Sequence, residues 1–311
     1  MRQITYSQAL SEAIQEEMDR DPTVVYLGEC VEGRYRGQCF EMPISETGFT
    51  GVGVGAAVAG LRPIVEIMFC DLVTVAMDPI VNQAAKMRYM FGGMTAVPMV
   101  VRAPIGAYIS MSAQHSQSLE FWFSGIPGLK VVIPSTAYDA KGLMKAAIRD
   151  DNPVIFCDHK TLGGVTGDVP DDDYTVPIGQ AAVIRPGKDA TIVAYAFMVQ
   201  KSLEAAQQLE QDGIDVEVVD LRTTLPIDDE AILNSLGKNG RLITVAEACA
   251  PCSVASEVAA IVMEKGFHLL KAPLKRIHAK FAPIPFASNL ENHVLPQTED
   301  IVNAVRNLMS S

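Results

Sequence analysis

Stretches that favour strands alternate with stretches that favour helices along the whole chain, and no other feature limits the fold as much. Parallel strands need a crossover of a dozen or more residues, usually a helix, so this alternation predicts an α/β architecture with parallel sheets. Thr5 can cap a first helix, with Gln8 three residues on as its capping-box partner. Leu10, Ile14 and Met18 recur every fourth residue and would face a core. Asp21-Pro22 stops that helix. Strands are expected over 23–27, 64–69, 97–102, 130–133 and 153–158. Between them the clearest helical patterns cover 73–89 and 137–150, the second behind Ser135 as N-cap.

Composition shifts over 163–179, where Gly, Asp, Pro and Thr dominate, and GDVPDDDYTVPIG reads as a linker. It separates a first domain, 1–175, from a second, 176–311. The second repeats the alternation, with strands over 191–195, 216–219 and 241–245 and helices over 199–212, 229–236 and 253–265. Hydrophobic residues make up 49% of the chain, enough for two cores, and with 6% aromatics the aliphatic side chains must fill them. There are 37 acidic against 25 basic residues, a net charge of -12, which excludes a nucleic-acid binder that would need a basic stripe for phosphates. No apolar run reaches the roughly 20 residues that span a bilayer, so no membrane role is expected. The first residues, MRQITYSQALSEAIQEEM, carry acidic side chains on an amphipathic pattern, unlike a targeting peptide. Six scattered cysteines form no disulfide framework, and the expected compartment is the reducing cytoplasm.

Four local features carry chemistry, each with a plain structural alternative. Gly51, Gly53 and Ala56 fit a loose dinucleotide fingerprint, but no apolar strand precedes them; small residues there also let a helix approach another backbone closely. Cys249-Ala250-Pro251-Cys252 sits between a strand and a helix, the setting of a redox pair, yet also of two incidental cysteines. His115 lies in the polar cluster Ser112-Ala113-Gln114-His115-Ser116-Gln117, past a strand end where parallel sheets bind ligands, and could equally cap a loop. Glu46 stands in a polar turn before the small-residue helix, where a carboxylate also suits the helix dipole.

Taken in order, several stretches resemble one family: Pro43-Ile44-Ser45-Glu46, Gly60-Leu61-Arg62-Pro63, Ala113-Gln114-His115-Ser116-Gln117, Ile126-Pro127-Gly128-Leu129 and Asp220-Leu221-Arg222-Thr223. The family is the transketolase-like beta subunits of the thiamine-diphosphate-dependent first component of 2-oxo acid and acetoin dehydrogenase complexes. Met87-Arg88-Tyr89-Met90-Phe91-Gly92-Gly93 and Phe156-Cys157-Asp158-His159-Lys160 lean towards acetoin dehydrogenase rather than pyruvate dehydrogenase.

The resemblance implies an N-terminal pyrimidine-binding domain and a C-terminal transketolase-type domain. It implies an alpha-two beta-two heterotetramer whose alpha subunit holds the diphosphate and Mg2+. Glu46 would hydrogen-bond N1′ of the aminopyrimidine, so that the cofactor becomes its own base, and Met68 and Leu72 would contact the ring. His115 would handle protons as the acyl unit passes to lipoamide on a lipoyl acyltransferase. A K+ ion, held in some members, would map to Met99, Ala147, Ile148, Asp150 and Asn152.

The chain departs from the family pattern in three places. The segment 28–42 is short, Leu72 stands where an aromatic is usual, and His278-Ala279-Lys280-Phe281-Ala282-Pro283 replaces an acidic turn. Two other readings therefore stay beside cleavage of acetoin or a 2-oxo acid. One is a two-component thiamine enzyme passing an acyl or aldehyde unit to a biosynthetic acceptor; the other is a non-catalytic scaffold subunit.

Overall fold

In the computed structural model, which describes residues 1–310, the backbone N–H of Gln8 donates to the Thr5 hydroxyl, and the Gln8 side chain accepts from the Thr5 N–H. The capping box closes and the helix Tyr6–Arg20 begins there, burying Leu10, Ile14 and Met18. Six strands of the first unit follow the order Lys130–Val132, Val154–Phe156, Val100–Arg102, Arg62–Glu66, Val24–Gly28 and Cys39–Glu41, every pair parallel. The central strands are buried on both faces, which is why they read as unbroken apolar runs. The helix Ala137–Arg149 packs on Tyr6–Arg20, and the seam is laced by Lys141 with Glu16 and Arg149 with Glu17.

Several local expectations are corrected. The helix Ala137–Arg149 is capped by Thr136, not Ser135: the Thr136 hydroxyl accepts the Asp139 N–H at 3.1 Å. The stretch 73–89 is not one α-helix. It runs as a 3-10 segment Cys70–Ala76, a π segment Pro79–Ala84 and an α-helix Ala85–Met90. Pro79 has no N–H to donate, so a single α ladder cannot pass through it. Within the expected linker, Thr166–Val169 forms a strand that pairs antiparallel with Arg2–Thr5.

The chain divides into one compact unit of Met1–Ile105 with Trp122–Ile178, and another of Gly106–Phe121 with the chain from Gly179 on. The second unit is built on five strands in the order Lys275–Ala279, Leu242–Cys249, Ala190–Ala194, Val216–Asp220 and Ala182–Arg185, parallel except for the last. Ile192, Val218 and Ile243 form its core with Ala205 and Leu209 of the helix Phe197–Gln211 and Val305 and Leu308 of Thr298–Met309. Among the described residues no helix is long and apolar enough to cross a membrane.

Candidate functional site

Glu46 is the first residue of the helix Glu46–Val58, and its N-cap, Ser45, makes no side-chain cap. The first turn therefore offers free N–H groups to a negative charge, which favours a carboxylate at that position. Glu46 is 7% exposed, yet its carboxylate has no hydrogen-bond partner among the described residues. Two turns on, a Cβ at Gly53 would lie 2.5 Å from Val65 Cγ2, so glycine is what lets this helix lie against the strand Arg62–Glu66. Gly51 and Gly55 face open space. All three glycines lie within the helix rather than in a strand-to-helix turn, so the dinucleotide reading has no phosphate loop to rest on.

The strand Arg62–Glu66 delivers the chain to Met68 and then to the 3-10 segment that contains Leu72. Met68 is 39% exposed and Leu72 half-buried, an apolar surface beyond the carboxyl end of a parallel strand. The glycine-containing helix packs on that segment, and the Thr47 hydroxyl donates to the Val75 carbonyl. Over the strand ends lies a cavity of about 360 Å3, lined among others by Glu29, Arg34, Glu66, Met68, Arg102 and Asp158. Burial, and then the charges of Glu46 and Glu41, push the Glu29 carboxyl up from its usual value. Glu29, which no sequence signal singled out, is one of the residues that line this cavity.

The cavity floor is an ion network. Arg34 donates to Glu66 at 2.6 Å, and Arg102 and the Tyr26 hydroxyl also donate to it. Arg102 grips Asp158 with two bonds, of 3.0 and 2.7 Å. Burial alone would raise the Glu66 carboxyl; Arg102, Tyr26 and Arg34 outweigh it and hold the group below its usual value.

His115 lies on the segment Gly106–Phe121, in the second unit. Glu247 accepts the Ala107 N–H at 2.7 Å and the Ser118 hydroxyl at 3.0 Å, and Glu291 accepts the Ser110 N–H at 3.1 Å. Tyr195 donates to Glu120 at 2.7 Å, and Tyr108 to the Pro296 carbonyl at 2.8 Å. Burial pushes the Glu120 carboxyl up to about 7, against the pull of the Tyr195 bond. Tyr108, Ser110 and Ser112 all have positive φ, a strained backbone that persists only where its surroundings hold it. The structure thus carries Glu46, Met68 and Leu72 on the first unit and His115 on the second.

Met99, Ala147, Ile148, Asp150 and Asn152 gather around one turn. The Met99 carbonyl accepts the Val154 N–H at 2.9 Å, and the Ile148 and Asp150 carbonyls accept Arg62 at 3.0 and 3.1 Å. The Asp150 carboxylate pairs with Lys130 and accepts the Asn152 N–H at 2.9 Å. Cys249 and Cys252 are free thiols; Cys249 donates to the Lys280 carbonyl.

Residues 2–165 match the transketolase pyrimidine-binding domain, and residues 179–301 the transketolase C-terminal domain. The chain is 43% identical over 331 residues to the beta subunit of acetoin:2,6-dichlorophenolindophenol oxidoreductase of Cupriavidus necator, covering 99% of this chain and 98% of the relative. It is 45% identical over 318 residues to the pyruvate dehydrogenase E1 component subunit beta of Rickettsia felis, covering 98% of each. Among solved structures it resembles a split-gene transketolase described as an inactive beta4 tetramer. The TM-score is 0.80 at 25% identity, covering 99% of this chain and 98% of that one.

Proposed function

The chain belongs to the family of thiamine-dependent two-component dehydrogenase beta subunits, and from that premise we propose that it forms the beta half of an enzyme cleaving acetoin or a pyruvate-like 2-oxo acid. The reading is carried by Glu46, a buried carboxylate with no protein partner, at the start of a helix that packs on the segment holding Leu72. Those residues fit the aminopyrimidine of thiamine diphosphate: a carboxylate for a ring nitrogen and an apolar wall for its face. Bound, the cofactor supplies the electron sink that breaking a bond beside a carbonyl requires.

Glu46 would hold a proton at the ring nitrogen, and its burial keeps water from competing for that proton. Leu72 would offer the ring an apolar wall without the stacking that an aromatic supplies, a weaker hold on the cofactor. His115, held by Glu247 and Glu291 through the backbone around it, would move protons at the acceptor, proposed as lipoamide on an acyltransferase. We assign the diphosphate and Mg2+ to an alpha subunit in an alpha-two beta-two assembly. The structural relative described as an inactive beta4 tetramer favours a beta-type chain that is silent alone.

K+ stays in the proposal at Met99, Ala147, Ile148, Asp150 and Asn152, since a carbonyl accepting one hydrogen bond keeps a second lone pair. Arg62 beside two of those carbonyls makes the site a weak one. We assign the protein to the cytoplasm, in keeping with six free thiols.

The test is calorimetric: co-express the chain with an alpha-type subunit and titrate the complex with thiamine diphosphate and Mg2+. Binding by the complex and not by the isolated chain is expected, followed by acetoin- or pyruvate-dependent reduction of 2,6-dichlorophenolindophenol. A stable complex that takes up no cofactor would overturn the reading in favour of a scaffold.

A further inference from the structure

We infer that the second unit carries an anion site, lined by none of Glu46, Met68, Leu72 and His115, that takes a small molecule bearing a phosphate or diphosphate group. The strand Lys275–Ala279 is the edge of its sheet. Successive side chains of a strand alternate between faces, so Arg276 and His278 share one, and Lys280 continues the two-residue step. The Lys280 N–H donates to the Val294 carbonyl at 2.8 Å, which fixes the end of the helix Ser288–Val294 beside the strand and brings in His293. These four basic side chains line a cavity of about 420 Å3 with Gln297 and Asp300 among its other walls. That volume is in the range of small-molecule sites rather than of a flat protein contact.

The charges in this cavity are left uncompensated by the chain. Among the described residues none of Arg276, His278, Lys280 and His293 forms an ion pair, whereas Arg34, Arg62, Arg102, Arg149, Arg185 and Arg306 each grip a carboxylate. Lys280 Nζ instead stands 2.7 Å from His293 Nε2, so an ammonium donates to an imidazole. One Arg276 nitrogen donates to the Ser256 hydroxyl at 2.6 Å, which steers the guanidinium and leaves its other N–H groups available. His278 Nδ1 donates to the Ala279 carbonyl at 3.0 Å, so Nε2 can donate to an anion when the ring carries both protons. The one carboxylate in the lining, Asp300, accepts the Gln297 N–H at 2.8 Å in a helix cap.

In a chain of net charge -12, an unpaired guanidinium and ammonium beside two imidazoles in a concavity suit a ligand with several anionic oxygens. A guanidinium, an ammonium and two imidazoles match phosphate better than a single carboxylate, because a phosphate group offers three acceptor oxygens and more negative charge than a carboxylate's two oxygens carry.

The experiment is calorimetric titration of the full-length chain with inorganic pyrophosphate at constant ionic strength, with adenosine diphosphate and adenosine as further arms. One saturable site is expected, weakened about tenfold or more by Lys280→Glu and by Arg276→Gln, and within about twofold of the parent in Lys271→Glu, which lies outside the cavity. Adenosine diphosphate binding about tenfold tighter than pyrophosphate would assign the site to a nucleotide; equal affinities would assign it to the phosphate group itself. No saturable binding up to about 10 mM, or binding that survives both cavity substitutions, would overturn the inference. His278→Gln adds a check that leaves the strand's backbone bonds in place, and its loss of affinity should track the other two.

Discussion

Glu46 and Glu66 are both buried carboxylates of the first unit, 7% and 8% exposed, and their surroundings are opposite. Glu66 receives Arg34, Arg102 and Tyr26, while Glu46 receives no side chain or backbone donor among the described residues. Removing a carboxylate from water costs several kcal/mol unless donors replace the lost hydration. The protein itself meets that cost at Glu66, which marks architecture; Glu46 it leaves without a donor of its own, as the proposed cofactor contact would require. The largest effect should come from breaking the satisfied side. Arg102→Met leaves Glu66 and Asp158 buried together without their shared cation and should cost about 3–5 kcal/mol in urea unfolding. A loss under about 1 kcal/mol would show that the network carries little of the fold and that the contrast with Glu46 means less than argued.

The unsatisfied side should behave in reverse. Glu46→Gln is expected to lower turnover of the complex with its alpha subunit by about 100-fold or more, the scale of a lost acid–base group. Stability should stay within about 0.5 kcal/mol, because no bond within the chain is lost. Near-normal turnover would remove Glu46 from the chemistry, and a stability loss as large as that of Arg102→Met would make it structural.

Glu247 gives the comparison a third member, a buried carboxylate that is saturated in order to position something else. It is 6% exposed and holds Ala107 and Ser118 on either side of His115. Glu247→Leu strands that N–H and hydroxyl and should cost about 1–3 kcal/mol. Amide exchange over 106–121 should quicken more than in the strand Ala190–Ala194. Uniform quickening across the second unit would mean that Glu247 supports the core and not this segment.

What the sequence made legible, and what it hid, follows the range of the interactions. The Thr5–Gln8 capping box and the apolar spacing of Leu10, Ile14 and Met18 act within one helix and could be read directly. Thr166–Val169 pairs with Arg2–Thr5 from the far end of the unit, and short polar strands so placed carry no local pattern that separates them from linker. The broken helix over 73–89 has helical periodicity throughout; Pro79 was the one visible sign that the ladder would not run through. At the site, the residue types and family spacing pointed to Glu46 and His115. Glu29, Glu247 and Glu291 had no signal, since a carboxylate's task depends on which donors the fold turns towards it. The basic cavity drew notice only as an unusual turn at His278, because its partner His293 joins it through a helix end.

The smallest effect belongs to a carboxylate that is paired but exposed. Asp173 bonds Lys145 at 2.7 Å and Arg149 at 2.9 Å, and these hold its carboxyl down at about 2, while its side chain is 60% exposed. A group lowered from its unfolded value of about 3.9 stabilises the fold fully above that value and loses the contribution as pH falls through the folded one. The window is therefore between about pH 4 and pH 2, and solvent screening keeps the gain under about 1 kcal/mol. Asp173→Asn should be less stable than the parent by that amount at pH 6, and the two should converge as the pH approaches 2. Urea unfolding at stepped pH measures both. A gap that persists unchanged at pH 2 would mean that Asp173 acts through shape rather than charge. A gap as large as the one expected for Arg102 would mean that pairing alone, without burial, sets the worth of a carboxylate in this protein.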